Sequence, residues 1–157
     1  MEKSNFRELF IPADILLPTG CDMKKWSVVA CDQHTSEPEY WERVDNFVGG
    51  APSTLRMMLP EHTYKYPNIG ELISNAKASM ARYEADGIFK VYESSYIYVE
   101  RELYNGKLRR GIVGAIDLEC YDYTDGTKAA VRATEGTVVE KLPIRIKLRE
   151  DAPIELT

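Results

Sequence analysis

Apolar positions change their period along the chain. Ile69, Leu72, Ile73, Ala76, Met80 and Tyr83 recur at helical spacing. Asn68 and Glu71 stand at capping-box spacing before this stripe, and Asp86-Gly87 supplies a stop after it, so a helix packed by one face is predicted there. From Ile88 onward the pattern is strand-like. Ile88–Tyr92 and Ser95–Tyr104 are rich in Ile, Val, Phe and Tyr, and Tyr104-Asn105-Gly106-Lys107 predicts a hairpin turn with Asn105 and Gly106 both at positive φ. The partner strand is Arg109–Leu118, in which Gly111 and Gly114 mark a bulge, a close backbone approach or ordinary tight packing.

The first third of the chain is organised around Lys24–Asn46. Trp26, Val28, Val29 and Ala30 form a short apolar run that predicts a buried strand, followed by the polar connection Cys31-Asp32-Gln33-His34-Thr35. Ser36 and Glu39 have capping-box spacing around Pro38, which predicts a helix carrying Tyr40, Trp41, Val44 and Phe47 inward. Trp26 and Trp41 are both expected to be buried. Before this unit, the two prolines of Phe10–Pro18 predict an extended edge segment. After it, Gly49, Gly50 and Pro52 end the helix, Leu55–Leu59 reads as a second strand and Glu61–Pro67 as a polar link.

Toward the C-terminus, Tyr121–Thr127 is a turn region and Ala129–Ala133 a short strand. Thr137 and Glu140 again have capping-box spacing, ahead of a helix or broken helix from Val138 to Arg149 that Pro143 interrupts. The alternation through Ile154–Thr157 reads as an interrupted strand whose open edge invites a homodimer. The elements add up to an α+β fold: a mixed, mainly antiparallel sheet covered by two or three helices. A single domain is expected over residues 1–157, reading as the N-terminal fragment of a longer protein.

Composition narrows the function classes. Among 157 residues, 44% are hydrophobic and 29% charged, the profile of a chain that folds. A net charge of -5 argues against nucleic acid as a partner, and the basic residues of Lys141–Arg149 read as a solvated face. No apolar run approaches the roughly 18 residues of a membrane span, so no membrane partner and a cytoplasmic location are expected. Cys21, Cys31 and Cys120 form no Cys-x-x-Cys pair, and His34 and His62 are isolated, which predicts neither a disulfide framework nor a metal site.

Two segments carry candidate chemistry. In the Asp32–Thr35 connection, a carboxylate two residues from an imidazole can form an acid–base pair, Asp32 with His34. The same residues can equally serve as caps for the following helix. Cys31 reads as a small buried residue rather than a nucleophile, because no base is placed beside it. Arg132, Thr134, Glu135 and Thr137, with Gly136, precede an expected helix start. They offer phosphate contacts from Arg132, Thr134 and Thr137 and a catalytic carboxylate from Glu135, or more simply a helix cap with a surface arginine. The two segments are expected to face one cleft, with a nucleotide or phosphate as ligand.

Phe10–Pro18, Lys25–Val44, Ala51–Leu55 and Arg132–Glu140 together resemble a bacterial family described as domain of unknown function one-thousand-and-fifteen. Longer members of that family look like relatives of the superfamily shared by chromosome-partitioning proteins and sulfiredoxins, with a later segment resembling its nucleotide-phosphate motif. The resemblance implies the N-terminal part of a nucleotide-dependent phosphotransfer or phosphohydrolysis enzyme. A non-catalytic small-anion or protein-binding regulatory module is the alternative.

Overall fold

A computed structural model describes residues 9–133, 136 and 138–156. Along the chain run β1 (Phe10–Ile11), β2 (Ala13–Pro18), α1 (Met23–Trp26), α2 (Pro38–Val48), α3 (Ile69–Ala85), β3 (Phe89–Ser95), β4 (Ile97–Glu102), β5 (Leu108–Val113), β6 (Ala115–Ile116), β7 (Tyr121–Asp122), β8 (Val131–Arg132) and α4 (Leu142–Arg149). Short 3₁₀ turns occupy Thr54–Arg56, Glu61–Lys65, Leu118–Cys120 and Val139–Lys141. The class is α+β. The chain divides into two compact units, Met1–Leu17 with Val91–Thr137, and Pro18–Lys90 with Val138–Thr157.

The first unit is built from strands. Among the described residues these pair as separate two-stranded ladders, β1 with β6, β2 with β3, β4 with β5 and β7 with β8, rather than as one continuous sheet. The β4–β5 hairpin is antiparallel, with Ile97 opposite Val113 and Glu102 opposite Leu108. Its turn differs from the one expected. Gly106 has φ +74° while Asn105 is not left-handed, and the N–H of Gly106 donates to the Leu103 carbonyl at 2.8 Å. That is a turn over Leu103–Gly106 closed by a left-handed glycine, which the longer loop permits and a two-residue loop would not. Gly114 is the close approach: a Cβ there would lie 2.8 Å from the Ile11 carbonyl oxygen and 2.8 Å from Phe10 Cζ. No side chain fits without displacing β1.

The second unit is helical and contains every buried apolar residue of the described chain: Trp26, Trp41, Val48, Met57, Leu59, Ile73, Ala76, Met80, Tyr83 and Ile154. The α3 stripe packs as its spacing predicts, with Ile73, Ala76, Met80 and Tyr83 buried, and Gly87 at φ +67° follows its end. Asn68 stands at its N-cap but makes no side-chain cap bond. Trp26 and Trp41 are 6% and 4% exposed, as expected of both. Trp26 packs on Tyr83 and edge-on against Phe89, and its carbonyl accepts from the hydroxyls of Ser53 and Thr54 at 3.2 and 2.9 Å.

Several expected elements are replaced. The strand expected at Trp26–Ala30 is absent: Asp22 caps the turn Met23–Trp26 by accepting from the Lys24 N–H at 3.0 Å, and residues 27–30 are irregular. A capping side chain outweighs two valines. Leu55–Leu59 is likewise not a strand, because Ser53 accepts from the Leu55 N–H and nucleates a 3₁₀ turn instead. In α2 the start is Pro38 after Glu37, without the Ser36 side-chain cap, and Val48 is buried while Phe47 is 55% exposed beneath Lys25. The buried residues of α2 are therefore Trp41 and Val48, with Val44 half-buried between them. Pro143 stands within the first turn of α4, where its missing N–H costs nothing, and the break falls between Val139–Lys141 and α4. Ile154–Leu156 form no strand, and Ile154 is 8% exposed in the helical core, so these residues do not present the open edge expected to drive a homodimer. No helix among the described residues is long and apolar enough to cross a membrane.

Candidate functional site

The connection Cys31–Glu37 folds as two successive turns, closed by the Gln33 N–H donating to the Ala30 carbonyl at 3.0 Å and the Glu37 N–H donating to the His34 carbonyl at 3.1 Å. His34 adopts φ +50°, a left-handed conformation uncommon for a residue bearing a Cβ. The second turn brings Glu37 back over His34, and Nδ1 lies 2.9 Å from Glu37 Oε1. A carboxylate only accepts, so Nδ1 carries the proton and Nε2 is left as the basic nitrogen of the neutral ring. The imidazole also stacks on Tyr40 at 3.8 Å between centroids and 15° between planes. The expected partner was Asp32. It is instead exposed and accepts from Gln33 Nε2 at 3.2 Å, so Glu37 orients His34.

Beside this connection lies an ion cluster that sequence reasoning missed. Glu61 opens the 3₁₀ turn Glu61–Lys65, its N–H donating to the Cys31 carbonyl at 2.9 Å. Its side chain is 3% exposed, and Lys141 Nζ and the Arg145 guanidinium both donate to it, the latter at 2.7 Å. The hydrogen bond to Glu61 is the main cause raising the already high pKa of Arg145. The basic residues Lys141 and Arg145, expected on a solvated face, thus turn onto a buried carboxylate. Their i, i+4 spacing was a signal for one shared helix face, but nothing in Glu61 announced its burial.

A cavity of about 300 Å³ opens next to this cluster, with Cys31, Asp32, Tyr64, Arg145, Arg149 and Glu155 among its lining residues. Arg149 pairs with Glu155 at 2.7 Å. Burial first, then the charges of Glu61 and Asp32, push the Cys31 thiol up, with Arg145 acting against them. Burial likewise pushes the Tyr64 hydroxyl up. Cys31 is therefore a neutral thiol near pH 7, a weak nucleophile. Among the described residues, no group of three or more His, Cys, Asp or Glu is arranged to hold a metal ion.

The model of the family described as protein of unknown function (DUF1015) matches residues 17–157. The chain belongs to the DUF1015 family. No curated protein and no solved structure matches it. The DUF1015 match takes in His34, Glu37, Glu61, Lys141 and Arg145, whereas most of the Phe10–Pro18 segment precedes it. Of the second candidate segment, Arg132 lies exposed in β8, which pairs in parallel with β7 so that Asp122 stands opposite it. Thr134, Glu135 and Thr137 lie outside the described residues, and so does the expected convergence of their segment with Asp32–Thr35.

Proposed function

We propose that this DUF1015 chain is the N-terminal part of a nucleotide-dependent phosphotransfer or phosphohydrolysis protein in which His34 is the acid–base group. The observation that carries the reading is the way His34 is held. Its backbone is left-handed, its Nδ1 is fixed by Glu37 at 2.9 Å, and its ring is stacked on Tyr40 at 3.8 Å. Strained backbone of this kind persists where the surroundings over-determine it, and it clusters at active sites. In the reaction proposed, Nε2 removes the proton of an attacking hydroxyl or water as its oxygen bonds to phosphorus. The bond from phosphorus to the leaving oxygen breaks, and Glu37 stabilises the imidazolium through Nδ1–H.

Nucleotide as substrate class rests on the resemblance of longer family members to the chromosome-partitioning and sulfiredoxin superfamily. Arg132, Thr134 and Thr137 as phosphate contacts, Glu135 as carboxylate and Asp32 as a second acid group enter by residue chemistry alone. The test is incubation of the protein with ATP or ADP, followed by phosphorus NMR. Release or transfer of phosphate that falls about 100-fold or more in His34→Gln supports the reading. Turnover indifferent to that change removes His34 from the reaction.

A second reading, a non-catalytic small-anion or regulatory module, is favoured by the cavity that Arg145 and Arg149 line and by the neutral thiol of Cys31. Saturable binding of phosphate or ADP in calorimetry, without turnover, selects it.

A further inference from the structure

Residues opposite one another across a ladder share a face, as do residues two apart along a strand, so the β4–β5 register sorts the hairpin into two faces. On one, Tyr98 and Glu100 stand opposite Ile112 and Arg110, and the Glu100 carboxylate accepts from the Tyr98 hydroxyl and from Arg110, each at 2.9 Å. Arg110 is thereby matched. On the other face, Arg101 stands directly opposite Arg109, and Val99 opposite Gly111. Lys107, two positions before Arg109, continues that row, its carbonyl accepting from the Leu103 N–H at 2.8 Å. Arg101, Lys107 and Arg109 are all exposed, and none makes an ion pair with another described residue. Like charges directly opposite one another destabilise a ladder, a cost that an anion seated over both guanidinium groups would remove.

Beside the arginine pair the same face is open. A Cβ added at Gly111 would meet nothing within 4 Å, and Val99 across from it is 38% exposed. Guanidinium forks match carboxylates in bidentate geometry. Arg109 and Gly111 are two residues apart on one strand, about 6.5 to 7 Å, which is also the spacing of alternate side chains in any other extended chain. An acidic side chain over the arginine pair therefore sets an aliphatic one, two residues on, over Gly111 and against Val99, and a second acidic one, two residues back, over Lys107. A free phosphate would leave the apolar seat unused. Three cations in a chain of net charge -5 are few for a nucleic acid, whose affinity rests on neutralising many phosphates.

We propose that this face of the β4–β5 hairpin docks an extended acidic segment of a partner protein, whose alternate carboxylates sit on Lys107 and on the Arg101–Arg109 pair and whose next alternate side chain, an aliphatic one, sits over Gly111. The inference does not depend on the phosphotransfer reading, because it uses neither His34 nor the cavity that Arg145 and Arg149 line.

Calorimetric titration of the folded protein with the end-blocked peptide Thr-Val-Thr-Glu-Thr-Glu-Thr-Val-Thr, which reads alike in both chain directions, tests it. Saturable binding is expected, about tenfold or more tighter than for the same peptide with glutamine in place of glutamate, and weakening as salt is raised. Arg101→Gln combined with Arg109→Gln relieves the like-charge pair, so the double variant should melt no lower than the wild type while its affinity falls about tenfold or more. Gly111→Val, whose side chain enters open space in the free protein, should fold and lose affinity to a similar extent. Absence of saturable binding up to millimolar peptide overturns the proposal. So does equal binding of the glutamine peptide, or unchanged affinity in either folded variant. Tighter binding of oligothymidylate than of the acidic peptide would overturn it in favour of nucleic acid, and self-association of the wild type that the double variant loses, without peptide binding, in favour of a second copy of this chain.

Discussion

Replacing Glu61 by alanine should be among the most costly single changes in the helical unit. The wild-type carboxylate is 3% exposed and accepts from both Lys141 and Arg145. Removing one partner of a buried ion pair typically costs about 3 to 5 kcal/mol, because the opposite charge is left without compensation. Here the stranded groups are cations with side chains 36% and 39% exposed, so each can turn toward water and recover part of that loss. We therefore expect about 2 to 3 kcal/mol, equivalent to a fall of about 4 to 12 °C in melting temperature for a chain of this size. Glu61→Gln keeps the volume and one of the two acceptor oxygens, and should lose less, about 1 to 2 kcal/mol. Urea denaturation of the wild type, Glu61→Ala, Arg145→Ala and the double variant gives the coupling between the two sites directly. A coupling above about 1 kcal/mol is expected. Loss of less than about 0.5 kcal/mol in Glu61→Ala, with no coupling, would refute the argument that this cluster ties α4 to the Glu61–Lys65 turn.

Gly114→Ala should cost about 1 to 3 kcal/mol by overpacking, since the new Cβ would lie 2.8 Å from the Ile11 carbonyl; faster hydrogen exchange in β1 and β6 is the readout, and unchanged protection would count against the close approach. Stability should decline on acidification through His62. Burial lowers its folded pKa below 6.5, so the unfolded chain takes up the proton more readily, and the contribution present above about pH 6.5 is lost as pH falls toward the folded value. Thermal melts between pH 7 and 5 should show this slope flattened in His62→Phe. Cys31 should react with iodoacetamide at pH 8 more slowly in the native than in the urea-unfolded protein, because burial raises its thiol pKa, and mass spectrometry showing equal rates would contradict that burial.

The parts of the fold legible in the sequence are those whose signal is local and repeated. The α3 stripe repeats over four turns, and the β4–β5 pair is flanked by a loop whose glycine had to be left-handed, so both were readable although the turn type was not. Four apolar residues at Trp26–Ala30 carry no period of their own. There the outcome was decided by Asp22 and by hydroxyls of Ser53 and Thr54, the latter two far along the chain. The candidate site was half legible for the same reason. His34 stood out by its chemistry, but its orienting carboxylate depended on the turn that returns Glu37, and Asp32 was as good a guess from spacing. Glu61 lies 80 positions from Lys141 and 84 from Arg145, and each of the three alone reads as an ordinary surface charge. Only the packing of α4 onto the Glu61–Lys65 turn makes them one cluster.

The most direct test of the proposed function follows the protonation and the reaction of His34 together. Turnover of ATP or ADP should be measured for the wild type, His34→Gln and Glu37→Gln, with melting temperatures recorded beside it. The account predicts a fall of about 100-fold or more in kcat for His34→Gln and a smaller fall for Glu37→Gln, with a shifted pH profile in the latter and little change in melting temperature in either. Phosphate release at the wild-type rate in His34→Gln, or no turnover of either nucleotide by the wild-type protein, would contradict it.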